Sequence, residues 1–205
     1  MKHTGIVINS NVYKDNDLMV ELLTENEIIS FRSKGVKKVD SKNKSLIFDF
    51  AFIEAEFFKK SDKLTLINGK NIINTNKLYS SFEGLVFLSF VKELLHKLIV
   101  DEDKHLIYED LVSALKEIDL SENEDVILRN LIYLMLKIGD VAGFSPLIFY
   151  EGSNVYDLIR SFYNKDSSIE QLNKNQLFTI VKRLSFYLEE TSDIQINSNL
   201  LIVHL

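Results

Sequence analysis

Arg32, Lys34, Lys37, Lys38, Lys42 and Lys44 fall within one short segment, R-S-K-G-V-K-K-V-D-S-K-N-K, whose single acid is Asp40. Cations at that density suit phosphate neutralisation, because lysine and arginine gain by releasing the counterions condensed on a polyanion. The chain as a whole is acidic, with 24 Lys and Arg against 30 Asp and Glu. The segment therefore stands out from its background. A solvated, lysine-rich loop is the other reading of the same residues, and composition alone does not separate the two.

Other chemistry is sparse. The seven glycines are scattered, and none forms a phosphate-binding loop. His3, His96, His105 and His204 show neither HExxH spacing nor i,i+4 pairing. Glu54 and Glu56 share one strand parity, but no histidine follows them at ligand spacing. Asp101-Glu102-Asp103 lacks the glycine and regular acidic spacing of a calcium loop. Zero cysteines remove disulfides, thiolate metal sites and thiol nucleophiles. The expectation is a binding protein and not an enzyme, with no metal and no cofactor. No apolar run approaches the ~18 residues that span a bilayer. Met-Lys-His-Thr-Gly leads directly into a strand-like segment without a signal-peptide core. These features point to a soluble, cytoplasmic protein.

The elements that must hold the basic segment differ between the two halves of the chain. Residues 1–80 carry a net charge of +3 and the remainder −9. The first half reads as short strands at Gly5–Ile8, Leu18–Leu23 and Ile28–Lys34, separated by turn-type residues (Asn9-Ser10-Asn11; Glu25-Asn26). A long strand is expected over Leu46–Lys60. Asp49 and the Glu54/Glu56 pair differ in parity, so a β-bulge is expected between about 49 and 54. Lys60–Lys63 reads as a turn into Leu64–Ile67. Asn68-Gly69 is a hairpin dipeptide that reverses the chain again into Lys70–Ile73. Short antiparallel strands at this spacing predict a small Greek-key barrel of the OB type over residues 1–76. The basic segment would lie at its surface.

From Lys77 the apolar period changes to three and four. Stripes at Leu78–Leu98, Leu106–Leu115, Val126–Ile138 and Leu177–Leu188 predict helices, and residues 77–205 are expected to form an all-α bundle. The fold class is thus α+β, a barrel followed by a helical domain. Ser121 and Glu124 have capping-box spacing before the third helix. Gly143 and Pro146 mark its end. That helix is apolar nearly all round, as a buried central helix is. Asn154–Tyr163 reads as a short helix, and Asn199–Leu205 as a docked apolar tail.

The order of these motifs resembles the RecO family of bacterial recombination mediators, over nearly the whole chain. Gly5–Ile8, Tyr13-Lys14-Asp15-Asn16-Asp17-Leu18 and Leu22-Leu23-Thr24 resemble its first two strands and their Y-x-x-x-D-L turn. Lys34-Gly35-Val36-Lys37-Lys38 with Ser41-Lys42 is similar to its A-K-G-x-R-K…S-K segment, the most specific match. Phe48-Asp49-Phe50 stands at its Q-P-F step. Phe90–Leu94, Tyr108–Leu111 with Ala114-Leu115, and Gly143–Pro146 resemble its helical motifs. The chain departs from the pattern after Pro146, where many members carry zinc-binding cysteines and Leu-Ile-Phe-Tyr-Glu stands here. It departs again at Glu25-Asn26-Glu27, where a glycine is common.

The resemblance implies a protein that binds single- and double-stranded DNA and anneals complementary strands. It implies joint action with RecR on strands coated by the single-strand binding protein SSB, and help in loading RecA. Lys34, Lys37, Lys38 and Lys42 match the motif positions; Arg32 and Lys44 join them on charge. Their implied role is phosphate contact, not base reading. Phe31 and Tyr13 are candidate stacking surfaces, with a core position for Phe31 left open. Arg129 and Lys137 are candidates for a basic rim around the acidic C-terminal tail of SSB. An OB-type module for structured RNA and a helical interaction scaffold are the rival readings.

Overall fold

Val20 and Leu22, then Ile29 and Phe31, are buried while the residues between them are less so. That period of two is the signature of strands with one face on a core. In the computed structural model, which describes residues 1–36, 41–153 and 155–202, these strands close on themselves. The chain divides into two compact units, Met1–Thr75 with Lys104–Leu115, and Asn76–Asp103 with Lys116–Leu205.

The first unit is a closed five-stranded barrel ordered β1-β2-β3-β5-β4. Its strands are β1 (Lys2–Lys14), β2 (Asp17–Leu23), β3 (Ile28–Ser33), β4 (Phe52–Lys60) and β5 (Lys63–Asn71). Neighbours are antiparallel except β3 and β5, which pair in parallel through Phe31–Leu64 and Arg32–Thr65. This is the OB-type barrel, in which closure removes open sheet edges. Val7, Val20, Leu22, Phe31, Ile53 and Phe57 fill the interior. Ile6 and its partner Phe52 are buried on the opposite side. There the Phe52 ring meets Tyr108 edge-on, with centroids 6.5 Å apart.

Several local expectations are corrected. Asn9-Ser10-Asn11 is not a turn but lies inside β1, and the chain reverses at Asp15-Asn16. The long strand starts at Phe52, not Leu46. Lys44–Leu46 is a 3-10 turn and Phe50 has φ 59°, so the chain bends sharply before β4. Asp49 is therefore off the strand, and its parity needs no bulge. The β4–β5 ladder has its irregularity later, at Glu56/Phe57. Asn68-Gly69 does not reverse the chain, since β5 runs straight through it. A Cβ at Gly69 would stand 2.9 Å from the Glu54 carbonyl oxygen, so the glycine serves close approach to β4. The turn at Lys60–Lys63 is present, with Ser61 at φ 52°.

The second unit is helical. The described residues hold α1 (Asn76–Ser80), α2 (Phe82–Leu98), α3 (Tyr108–Leu120, of which the part up to Leu115 belongs to the first unit), α4 (Asp125–Val141), α5 (Pro146–Phe149), α6 (Tyr156–Asn164) and α7 (Lys174–Ser192). The first apolar stripe is broken at Ser81, whose side chain caps α2 by accepting from the Gly84 amide. α4 packs against both α2 and α7 and is apolar on most of its surface, as its sequence predicts. Ser121 and Glu124 do not form a capping box. Ser121 Oγ accepts from the Asn123 amide, and Glu124 makes no side-chain cap. The reciprocal box stands instead at Asn173 and Gln176, in front of α7. Gly143, at φ 83°, turns the chain out of α4. Asn154 and residues 203–205 lie outside the described residues. Before them, Asn197–Leu201 forms a 3-10 turn. Among the described residues no helix is long and apolar enough to cross a membrane.

In the stretch that follows Pro146, aromatic rings pack together. Phe149 and Tyr150 lie 4.6 and 5.8 Å from Tyr187. Tyr187 also donates to the carbonyls of Phe144 and Ser145, which ties this stretch to α7.

Candidate nucleic-acid interface

The β1–β2 turn and the end of β3 meet at Asp17. Its carboxylate accepts from Arg32 Nε at 2.7 Å and also from Arg32 Nη2. Its other oxygen accepts from the Gly35 backbone N–H at 2.8 Å. Gly35 has φ 65°, a conformation that glycine adopts without strain. One carboxylate thus fixes both the arginine and the first turn of the basic segment. The Gly35 N–H, followed by Arg32, holds the Asp17 carboxyl below its ordinary range.

Around this anchor opens a cleft of about 710 Å³. Its cations are Lys14, Arg32, Lys34 and Lys42, and its acids are Asp15 and Asp17. Three of the predicted basic residues, Arg32, Lys34 and Lys42, are therefore brought together. Lys44 is exposed on the adjoining 3-10 turn but does not line the cleft. Lys37 and Lys38 lie outside the described residues. The sequence reading missed Lys14 and the anchoring role of Asp17. Both belong to the Tyr13–Leu18 motif, which was the signal available.

Arg32 differs from the lysines. Its charge is committed to Asp17, and its guanidinium sits 5.3 Å from the centre of the Tyr13 ring. Tyr13 is exposed and borders the cleft through that contact. Phe31 is not available for stacking. It is fully buried in the barrel, with its ring 4.8 Å from Phe57. The parity that exposes Arg32 requires this, because adjacent strand residues face opposite ways.

In the helical unit Arg129 and Lys137 do not share a cavity. Arg129 lines a hollow of about 250 Å³ with Tyr133, Phe162 and Lys165. Its Nε and Nη2 donate to the carbonyls of Ile169 and Glu170, both at 3.1 Å. Lys137 stands over the rings of Tyr133 and Tyr163 at 5.6 and 5.5 Å. Lys165 pairs with Glu117. Among the described residues no group of three or more His, Asp or Glu is placed to hold a metal ion.

An OB-type barrel with a cation-lined cleft, followed by a helical unit, defines the class of protein. Residues 1–76 match the family described as Recombination protein O N terminal. The chain is 28% identical over 115 residues to the DNA repair protein RecO of Clostridium acetobutylicum, covering 55% of this chain and 47% of that one. It is 27% identical over 113 residues to its namesake in Clostridium perfringens, covering 54% and 46%. For the RecO of Idiomarina loihiensis the identity is 27% over 146 residues, covering 67% and 59%. The barrel unit is thus similar to the N-terminal part of RecO proteins, and the likeness extends into the helical unit at 27–28% identity. It spans about half the length of the clostridial relatives it matches.

Proposed function

We propose that this chain is a non-enzymatic DNA repair and recombination mediator that binds single- and double-stranded DNA through the barrel. The observation that carries the reading is the cleft in which Lys14, Lys34 and Lys42 stand around an arginine fixed by Asp17. Three exposed lysines in one concavity of an acidic protein concentrate positive potential where a phosphate backbone can lie. Lys37, Lys38 and Lys44 extend the phosphate-binding set along the chain. In this role DNA is held by its backbone, so complementary strands keep their bases free to pair and anneal. The helical unit provides protein contacts. RecR and the acidic tail of SSB are the proposed partners, with Arg129 and Lys137 as the basic groups, and RecA loading follows from acting on SSB-coated strands.

The test is fluorescence anisotropy with labelled oligo-dT and duplex at matched salt. Wild-type protein binds both, and log affinity falls linearly with log salt. The Lys34→Glu/Lys42→Glu and Lys37→Glu/Lys38→Glu variants lose most of that affinity. Unchanged affinity in both variants sinks the proposed site. Preference for an RNA hairpin that vanishes when its 2′-hydroxyls are removed would point to RNA instead.

A further inference from the structure

Two of the irregularities in the barrel stand at the same cleft. On β1 the register with β2 passes from Val12–Leu18 to Lys14–Asp17, which leaves Tyr13 as an extra, unpaired residue. On β5 the register with β4 passes from Leu66–Phe57 to Asn68–Glu56, which leaves Ile67 in the same position. A bulge redirects the side chain of its extra residue. Ile67 is 55% exposed and lines the basic cleft. Tyr13 is 48% exposed, and its ring lies against Arg32, which forms part of the cleft wall. Phosphate binding needs neither an isoleucine nor a tyrosine. Two large, exposed apolar surfaces beside four cations match a ligand with alternating charged and flat apolar parts.

We propose that Tyr13 and Ile67 contact unstacked bases, and that the cleft is thereby selective for single strands over duplex. This rests on the reading of the cleft as a phosphate site. Arg32 takes a different part from the lysines. Held by Asp17 with its guanidinium 5.3 Å from the centre of the Tyr13 ring, it borders that ring, while Lys14, Lys34 and Lys42 meet the backbone. In a duplex the bases are stacked inward and only the phosphate contacts form. Base–aromatic stacking supplies about 1–3 kcal/mol per base, so the preference is on the order of tenfold or more.

The experiment compares oligo-dT with an abasic oligonucleotide of equal length and charge. Wild-type protein binds oligo-dT roughly tenfold tighter. Tyr13→Ser/Ile67→Ser brings the two affinities together without altering the salt dependence, and Tyr13→Phe keeps the preference. Equal wild-type affinity for both oligonucleotides overturns base contact but leaves phosphate binding standing. A preference that survives in the double variant assigns the base contact elsewhere and overturns the role of these residues. Wild-type protein that binds neither oligonucleotide overturns the DNA-binding reading and this inference with it.

Discussion

Asp17 and Gly35 are 18 residues apart in the chain, yet the Gly35 N–H donates to Asp17 Oδ1 at 2.8 Å. The residue that organises the basic segment is thus an acid on a different strand. Its carboxylate offsets the arginine, and the three lysines outnumber the remaining acid, Asp15, so the cleft stays positive.

Replacing Asp17 with alanine is expected to free the first turn of the basic segment. Gly35 amide exchange should rise sharply, and thermal stability should fall. Acid has the same effect at a shifted pH. The folded carboxyl titrates below its ordinary value of 3.8 because the Gly35 N–H and Arg32 favour the charged form. Its contribution is complete above that value and is lost only as pH falls through the lower, folded value. Amide protection of Gly35 should therefore persist at pH 4 and disappear below it.

Lys14 is expected to contact phosphate even though it lies outside the basic segment. Lys14→Gln should weaken binding to all sequences alike. It should reduce the slope of log affinity against log salt by about 0.7 for single strands. Lys44→Gln, on a residue outside the cleft lining, should change the slope less. A salt titration of both variants checks the ranking.

Glu93 on α2 ties down the end of the described chain. Its carboxylate accepts from the Asn197 and Ser198 amides, both at 2.7 Å, from Ser198 Oγ at 2.6 Å, and from Lys97. Burial pushes its carboxyl up, but these donors together outweigh it and hold the group below 4.5. Glu93→Ala is expected to cost about 2–3 kcal/mol, because the buried Ser198 amide and hydroxyl lose a charged acceptor. A urea titration measures the loss. The contribution is present above 4.5 and declines as pH falls through the folded value, so the variant and wild type should converge in acid.

Gly84→Ala should be among the costlier small substitutions. An added Cβ would meet Leu78 backbone atoms at 2.4–2.6 Å, and backbone cannot swing aside. A loss of about 3 kcal/mol is expected, read as a fall in melting temperature. Gly139→Ala, whose nearest neighbours stand at 3.0–3.3 Å, should cost less.

Helices were legible because their signal is repeated. Leu128, Leu131, Met135 and Ile138 state the same stripe four times, and a buried helix simply widens it. Strand ends were less legible because their signals are single dipeptides. Asn68-Gly69 has the composition of a hairpin, but pairing with Glu56 and Ala55 holds it extended. Ser121 and Glu124 have cap spacing, but the Asn123 amide claims the hydroxyl. The basic cleft was half legible. Arg32, Lys34 and Lys42 are close in sequence, whereas Lys14 joins them only when β1, β2 and β3 are assembled. The parallel β3–β5 closure, which positions Ile67, leaves no local trace at all.

The first unit takes in Lys104–Leu115, and Tyr108 from that stretch covers Phe52. During synthesis the ribosome releases β5 well before that segment emerges. The barrel's five strands can begin to pair early, but one apolar face stays wet until the later helix arrives. The nascent chain thus passes through a stage at which Phe52 is a sticky surface, and a fragment ended at Thr75 would be held at that stage permanently.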